Sequence, residues 1–131
     1  MNYYLVIPAR YKSKRLPGKP LLDICGLPMI IRTYRQCAKV IPKSRILVAT
    51  DDLRIKKVCK KENIKIVMTS KNCLTGTDRI AEVAKKYKAK FYLNVQGDEP
   101  ICNTSDIKKL LRYAKMYPSK IINGYTKITN R

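Results

Sequence analysis

The chain has 131 residues, 45% of them hydrophobic, which suits one globular domain with its own core. It carries no apolar run long enough to span a bilayer, and its first apolar stretch is only strand-length before charge begins at Arg10, unlike a signal peptide, which leads to the expectation of a cytoplasmic protein. Lys and Arg number 29 against 9 Asp and Glu, a net charge of +20 that favours a polyanionic partner such as nucleic acid, an anionic membrane or a phosphorylated small molecule.

In chain order, Tyr3 to Ile7 reads as a first strand. Pro28 suits the first turn of a helix whose Leu27, Ile30, Ile31, Tyr34, Ala38 and Ile41 share one face, and Pro42 ends it. RILVAT, residues 45–50, is a second strand. Asp51 or Asp52 caps a helix reaching about Glu62 with Ile55, Val58 and Cys59 inward, and KIVMT, residues 65–69, is a third strand. Thr77 or Asp78 opens a helix with Ile80, Val83, Ala84 and Tyr87 on one stripe, and FYLNVQ, residues 91–96, follows as the fourth and most apolar strand. Thr104 or Ser105 caps a last helix with Ile107, Leu110, Leu111 and Ala114 inward, stopped at Pro118, and residues 120–128 read as a further strand.

Strands alternating with helices, without hairpin signals, predict parallel strands joined by right-handed crossovers, hence an α/β doubly wound, mostly parallel sheet. Ligands of such sheets bind outside the carboxyl ends of the strands. A strand-like finish with no helix to cover it is abrupt for this architecture, and a single domain over 1–131 is expected.

Three polar clusters follow the first, third and fourth strands and so fall on one rim. In PARYKSKRLPGKP, residues 8–20, Arg10, Lys12, Lys14, Arg15 and Lys19 share a loop with a Pro17-Gly18 turn, able to wrap a triphosphate. In CLTGTDRIAE, residues 73–82, Thr75 and Gly76 precede a helix start that offers free N–H groups to an anion or a base edge, with Arg79 directed to the rim. In NVQGDEP, residues 94–100, Asp98 and Glu99 end a buried strand, and Mg²⁺ is their natural partner where phosphates also bind. Neither the G-x-x-x-x-G-K-[ST] nor the G-x-G-x-x-G phosphate motif is present. The bland readings are a basic surface loop, an ordinary capped helix and a solvated turn. The five cysteines are odd in number, lack C-x-x-C spacing and have no histidine to complete a metal site, so reduced thiols are expected.

IPARYKSKRLPGKPL, TGTDR and NVQGDEP, in that order and with VATDD between the first two, resemble the 3-deoxy-manno-octulosonate cytidylyltransferases, relatives of the acylneuraminate cytidylyltransferases. The resemblance implies a Rossmann-like fold of the nucleotide-diphospho-sugar transferase type. It implies transfer of CMP from CTP to an acidic 3-deoxy sugar, with release of pyrophosphate, for lipopolysaccharide or capsule synthesis. On this pattern Ala9, Arg10, Thr75 and Gly76 hold the nucleoside end, and Arg15 and Lys19 neutralise phosphates. Asp98 binds Mg²⁺, Gln96 and Arg79 position the sugar acid, and Arg10, Lys19 and Asp98 form the catalytic set. Thr75 stands where the family usually has serine, and Leu74 where a polar residue is common. Family members are longer, with a second metal-binding aspartate and a homodimer contact that have no counterpart here, so the resemblance implies that 1–131 is the N-terminal part of a longer chain with an incomplete sheet.

The resemblance implies neither nucleic-acid nor membrane binding. The competing classes are a basic RNA-binding module on the same rim and a catalytically inactive truncated fragment. Asp98 and Glu99 discriminate against the first, because carboxylates at the centre of a basic surface weaken a phosphate backbone's binding.

Overall fold

The computed structural model describes residues 2–125. Its centre is a four-stranded, all-parallel sheet of β1 (Tyr3–Pro8), β4 (Ile46–Thr50), β5 (Ile66–Met68) and β6 (Phe91–Asn94), ordered β5-β4-β1-β6. β1 is paired on both sides, with Leu5 opposite both Ile46 and Leu93. Every residue of β4 is buried, which is why the strands read as continuous apolar runs instead of alternating ones.

Helices cover both faces. Leu5, Ile7, Ile46 and Val48 pack against Ile30, Ile31 and Cys37 of α1 (Met29–Ala38), Ile55 and Cys59 of α2 (Leu53–Lys61), and Ile107 of α4 (Thr104–Met116). Val6, Leu47, Ala49 and Val67, which point the other way, pack against Val83 and Ile80 of α3 (Gly76–Lys86). The chain therefore winds outward from β1 through β4 to β5, crosses the opposite face in α3, and returns to β6 beside β1. Reversal between β1 and β6 creates a topological switch point, the place where a doubly wound sheet opens a crevice at its carboxyl edge.

Several boundaries move from the expected ones. Between β1 and α1 the chain makes a short antiparallel hairpin, β2 (Asp23–Ile24) and β3 (Leu27–Pro28), against the expectation of no hairpins. Its two-residue turn puts Cys25 at φ 49° and Gly26 at φ 88°, the positive-φ pair of a type I′ turn. Cys-Gly is a weak signal for that turn, and Arg32 reinforces it by donating to the carbonyls of Ile24 and Cys25. Pro28 consequently ends β3 and sits at the N-cap of α1, not in its first turn.

Asp52 caps α2 as expected, its Oδ1 accepting from the amides of Arg54 at 2.8 Å and Ile55 at 3.3 Å. α3 starts earlier than expected, capped by Thr75 in a reciprocal capping box with Asp78, and Asn103 caps α4 in place of Thr104 or Ser105. In both, the true cap precedes a second capable residue, and local sequence does not rank them. Residues 120–125 form no strand, and the rest of the expected 120–128 strand lies outside the described residues.

All five cysteines are free, and Cys37 and Cys59 are fully buried. Burial pushes the Cys37 thiol up to about 12, with the nearby Cys102 and Glu99 adding to the shift, and burial alone does the same for Cys59. Both stay protonated near neutrality. Iodoacetamide at pH 8 should therefore modify exposed Cys25 and leave Cys37 and Cys59 unlabelled until denaturant is added, as read by peptide mass spectrometry. No helix among the described residues is long and apolar enough to cross a membrane.

Candidate active site

The parallel ladder between β1 and β6 continues beyond the strands, Val95 donating to the Val6 carbonyl and Gly97 to that of Pro8 at 3.2 Å. These bonds carry the segment after β6 alongside the residues after β1. A side chain at position 97 would be tightly crowded, since a Cβ there would lie 3.0 Å from the Pro8 carbonyl oxygen and 3.2 Å from Ile30 Cδ1. The buried Thr33 hydroxyl donates to the Gly97 carbonyl at 3.0 Å and locks this approach from the α1 side.

The result is a cleft of about 490 Å³ whose walls include Ala9, Arg10, Ser13, Arg15 and Lys19 from the β1 side and Gln96, Gly97 and Asp98 from the β6 side. Gly18, at φ 73°, turns the chain in the left-handed region, and a short 3₁₀ turn over Lys19–Leu21 follows. That turn sends the Lys19 ammonium 2.9 Å from Asp98 Oδ2 across the cleft. Both side chains are nearly half exposed, 41% and 46%, so the pair adds little to stability and either partner is free to exchange it for an incoming charge.

A second cleft of about 300 Å³ opens from the first, sharing Pro8, Ala9, Arg10 and Gln96 and adding Cys73, Leu74, Thr75, Gly76 and Arg79. The Thr75 hydroxyl donates to Asp78 Oδ2 at 2.9 Å and accepts from the Asp78 amide at 3.2 Å. The N-terminus of α3 thus faces the cleft with its positive dipole end. Gln96 Nε2 donates to Asn94 Oδ1 at 3.0 Å and stands between the two clefts.

Of the residues singled out from sequence, Ala9, Arg10, Arg15, Lys19, Thr75, Gly76, Gln96 and Asp98 line one continuous depression. Arg79 lines the smaller cleft, but its guanidinium turns inward. The residue is 3% exposed, and Nη1 donates to Thr69 Oγ1 at 2.6 Å and lies 3.6 Å from Asp51 Oδ1. It joins the carboxyl ends of β4 and β5 instead of facing the open cleft. Glu99 does not line the cleft; partial burial and the charge of Asp98 raise its pKa, and it lies beside the Cys37 and Cys102 thiols. Lys12 and Lys14 sit on the outer side of the basic loop with Tyr11 and Arg54.

Sequence reasoning passed over Thr33, Glu82 and Arg54. Thr33 had a signal, a polar residue on the apolar stripe of α1. Glu82 holds the 70–73 loop, accepting from the Ser70 amide at 2.8 Å and from the Cys73 thiol at 3.3 Å, and nothing in the local sequence marks that role.

Known proteins are similar to this chain in sequence and in fold. The cytidylyltransferase family model matches residues 4–130. Over 108 residues the chain is 46% identical to the 3-deoxy-manno-octulosonate cytidylyltransferase of Escherichia coli, an alignment covering 82% of this chain and 44% of that protein. It is 45% identical over 107 residues to the same-named protein of Chlorobaculum tepidum, covering 82% and 43%. A solved CMP:2-keto-3-deoxy-manno-octonic acid synthetase complexed with CTP superposes with a TM-score of 0.86 at 43% identity, over 91% of this chain and 49% of that one. A cytidylyltransferase from Leptospira borgpetersenii, 21% identical, shares the fold with a TM-score of 0.75 over 86% of this chain and 48% of that one. The chain spans less than half the length of each of these relatives. With a doubly wound sheet, a basic loop and a carboxylate meeting at the switch point, and a family match over nearly the whole sequence, this chain belongs to the cytidylyltransferase family.

Proposed function

We propose that this chain is the nucleotide-binding part of an enzyme that transfers CMP from CTP to a 3-deoxy-octulosonic acid and releases pyrophosphate. The observation that carries the reading is the meeting of Lys19 and Asp98 at the β1/β6 switch point, 2.9 Å apart, in a cleft walled by Arg10 and Arg15. The relatives' names and the CTP-bound state of the solved synthetase support the choice of nucleotide and acceptor. The smaller cleft at the α3 N-terminus takes the nucleoside end, held by Ala9, Thr75 and Gly76. The larger one takes the triphosphate on Arg10, Arg15 and Lys19, whose charges offset the negative charge that grows on the departing oxygens.

The acceptor's anomeric hydroxyl attacks the α-phosphorus in line and gives up its proton to solvent as the new C–O–P bond forms, while the α–β anhydride bond breaks and its electrons leave with pyrophosphate. Gln96, between the clefts, positions the acceptor. Arg79 serves the site by holding the β4 and β5 ends in place.

The donor set fits Mg²⁺ arriving with the nucleotide. Asp98 is a single exposed carboxylate beside the phosphate cleft, and among the described residues no group of three or more acidic, His or Cys side chains forms a self-sufficient cage. Mg²⁺ is satisfied by one or two carboxylates with phosphate oxygens and water, so Asp98 would hold it and it would supply charge neutralisation at the phosphates.

The test mixes the chain with CTP, Mg²⁺ and 3-deoxy-manno-octulosonate, follows pyrophosphate release, and measures CTP binding separately. Saturable CTP binding that GTP does not match is the expected result. Absence of CTP binding, together with tight salt-sensitive RNA binding, would replace this reading with the basic binding module.

A further inference from the structure

A loop carrying Arg10, Lys12, Lys14, Arg15 and Lys19 repels itself and favours an open ensemble in the absence of an anion. The structure instead shows it closed, the Gly18 amide donating to the Tyr11 carbonyl at 2.8 Å. Its outer side forms a cleft of about 650 Å³ whose lining includes Tyr11, Lys12, Lys14 and Arg54. Arg54 belongs to α2, a different element.

The connection is continuous. Asp52 donates its amide to Thr50 Oγ1 at the end of β4, at 3.2 Å. Its carboxylate accepts from Arg54 Nε at 3.2 Å and from Nη2 at 2.8 Å, two parallel bonds that fix the plane of the guanidinium. That guanidinium lies over the Tyr11 ring, 3.2 Å from its centroid. The ring rests on Gly18, where an added Cβ would meet Tyr11 Cε2 at 2.9 Å, and Lys19 is the next residue.

We propose that Asp52, Arg54 and Tyr11 form a clasp that positions the basic loop for a polyphosphate before it binds. This rests on the reading that the loop binds the phosphates of a nucleotide. Holding the loop closed in advance removes its ordering cost from the binding step. Asp52 also offsets the charge that Arg54 would otherwise add beside Arg10 and Arg15. Arg54, with 59% of its side chain exposed, contributes little to the core, so its role is local.

The test compares the full chain with Arg54→Ala, Arg54→Lys, Tyr11→Leu and Tyr11→Phe. Amide hydrogen exchange at Gly18, without nucleotide, should quicken about fivefold in Arg54→Ala, Arg54→Lys and Tyr11→Leu, and stay near the parent rate in Tyr11→Phe, which keeps the ring. Amides inside β1 and α2 should not change. CTP and pyrophosphate should bind about fivefold more weakly to the same three variants. Gly18 exchange unaffected by Arg54→Ala would overturn the clasp, whatever the nucleotide does. Parent-like binding by Arg54→Lys would also overturn it, since net charge alone would then explain the effect of alanine. If exchange changes as expected but the parent chain binds neither CTP nor pyrophosphate, the polyphosphate reading fails, and with it the purpose assigned to the clasp.

Discussion

Arg79→Ala should lower the unfolding free energy by about 3 kcal/mol, read as a shift of the urea midpoint at constant slope. The guanidinium is almost wholly buried and donates to Thr69 Oγ1 at 2.6 Å, with the Ser70 carbonyl at 3.4 Å and Asp51 Oδ1 at 3.6 Å. Removing it strands Asp51, whose side chain is only 19% exposed, beside a void between the ends of β4 and β5. The cost comes chiefly from that uncompensated carboxylate, not from the worth of the bond itself. Arg79→Lys keeps the charge but loses the planar reach to two strand ends, so it should recover only part of the loss. A stability change below about 1 kcal/mol for alanine, with weakened sugar-acid affinity instead, would return Arg79 to the acceptor-binding role that the family resemblance implies.

The second large effect concerns Asp98 and Lys19, whose ion pair joins the two sides of the cleft. Asp98→Asn should abolish the Mg²⁺-dependent gain in CTP affinity, a loss of at least about tenfold, or roughly 1.4 kcal/mol. Without Mg²⁺ the same substitution should leave CTP binding equal or tighter, because a carboxylate that repels the polyphosphate is gone and Lys19 is released toward it. Lys19→Ala should weaken CTP binding by about tenfold or more with or without Mg²⁺, since charge-assisted bonds to phosphate are worth roughly 1.5–3 kcal/mol. Titration calorimetry with and without EDTA separates the two. A Mg²⁺-dependent gain that survives Asp98→Asn would remove Asp98 as the metal's carboxylate.

Both predictions turn on side chains that the sequence marked but did not place. Asp98 and Lys19 were legible because each follows a strongly apolar strand, and strands β1 and β6 had to end on the same rim if the sheet was parallel. Arg79 was legible as a helix residue one turn from a cap, but its rotamer was not, because burial against Thr69 and Asp51 is settled by how α3 packs across β4 and β5. The β2/β3 hairpin escaped notice because Cys25-Gly26 lacks the Asn or Asp that usually announces a type I′ turn.

By itself, the sequence determined four of the five strands it suggested, the four helices, most of their apolar faces, though Leu27 and Ile41 lie outside α1, and the three polar clusters beyond strand ends. Those features follow from periodicity and strand length, which are local properties written in consecutive residues. Only the tertiary structure decided that the return of β6 to the side of β1 brings Asp98 within 2.9 Å of Lys19, and that Arg54 lies over Tyr11 at 3.2 Å. It also decided that Arg79 is spent inside. The physical reason is common to all three: each contact joins residues from different elements, and its partners are chosen by sheet order and helix packing, which no stretch of neighbouring residues records.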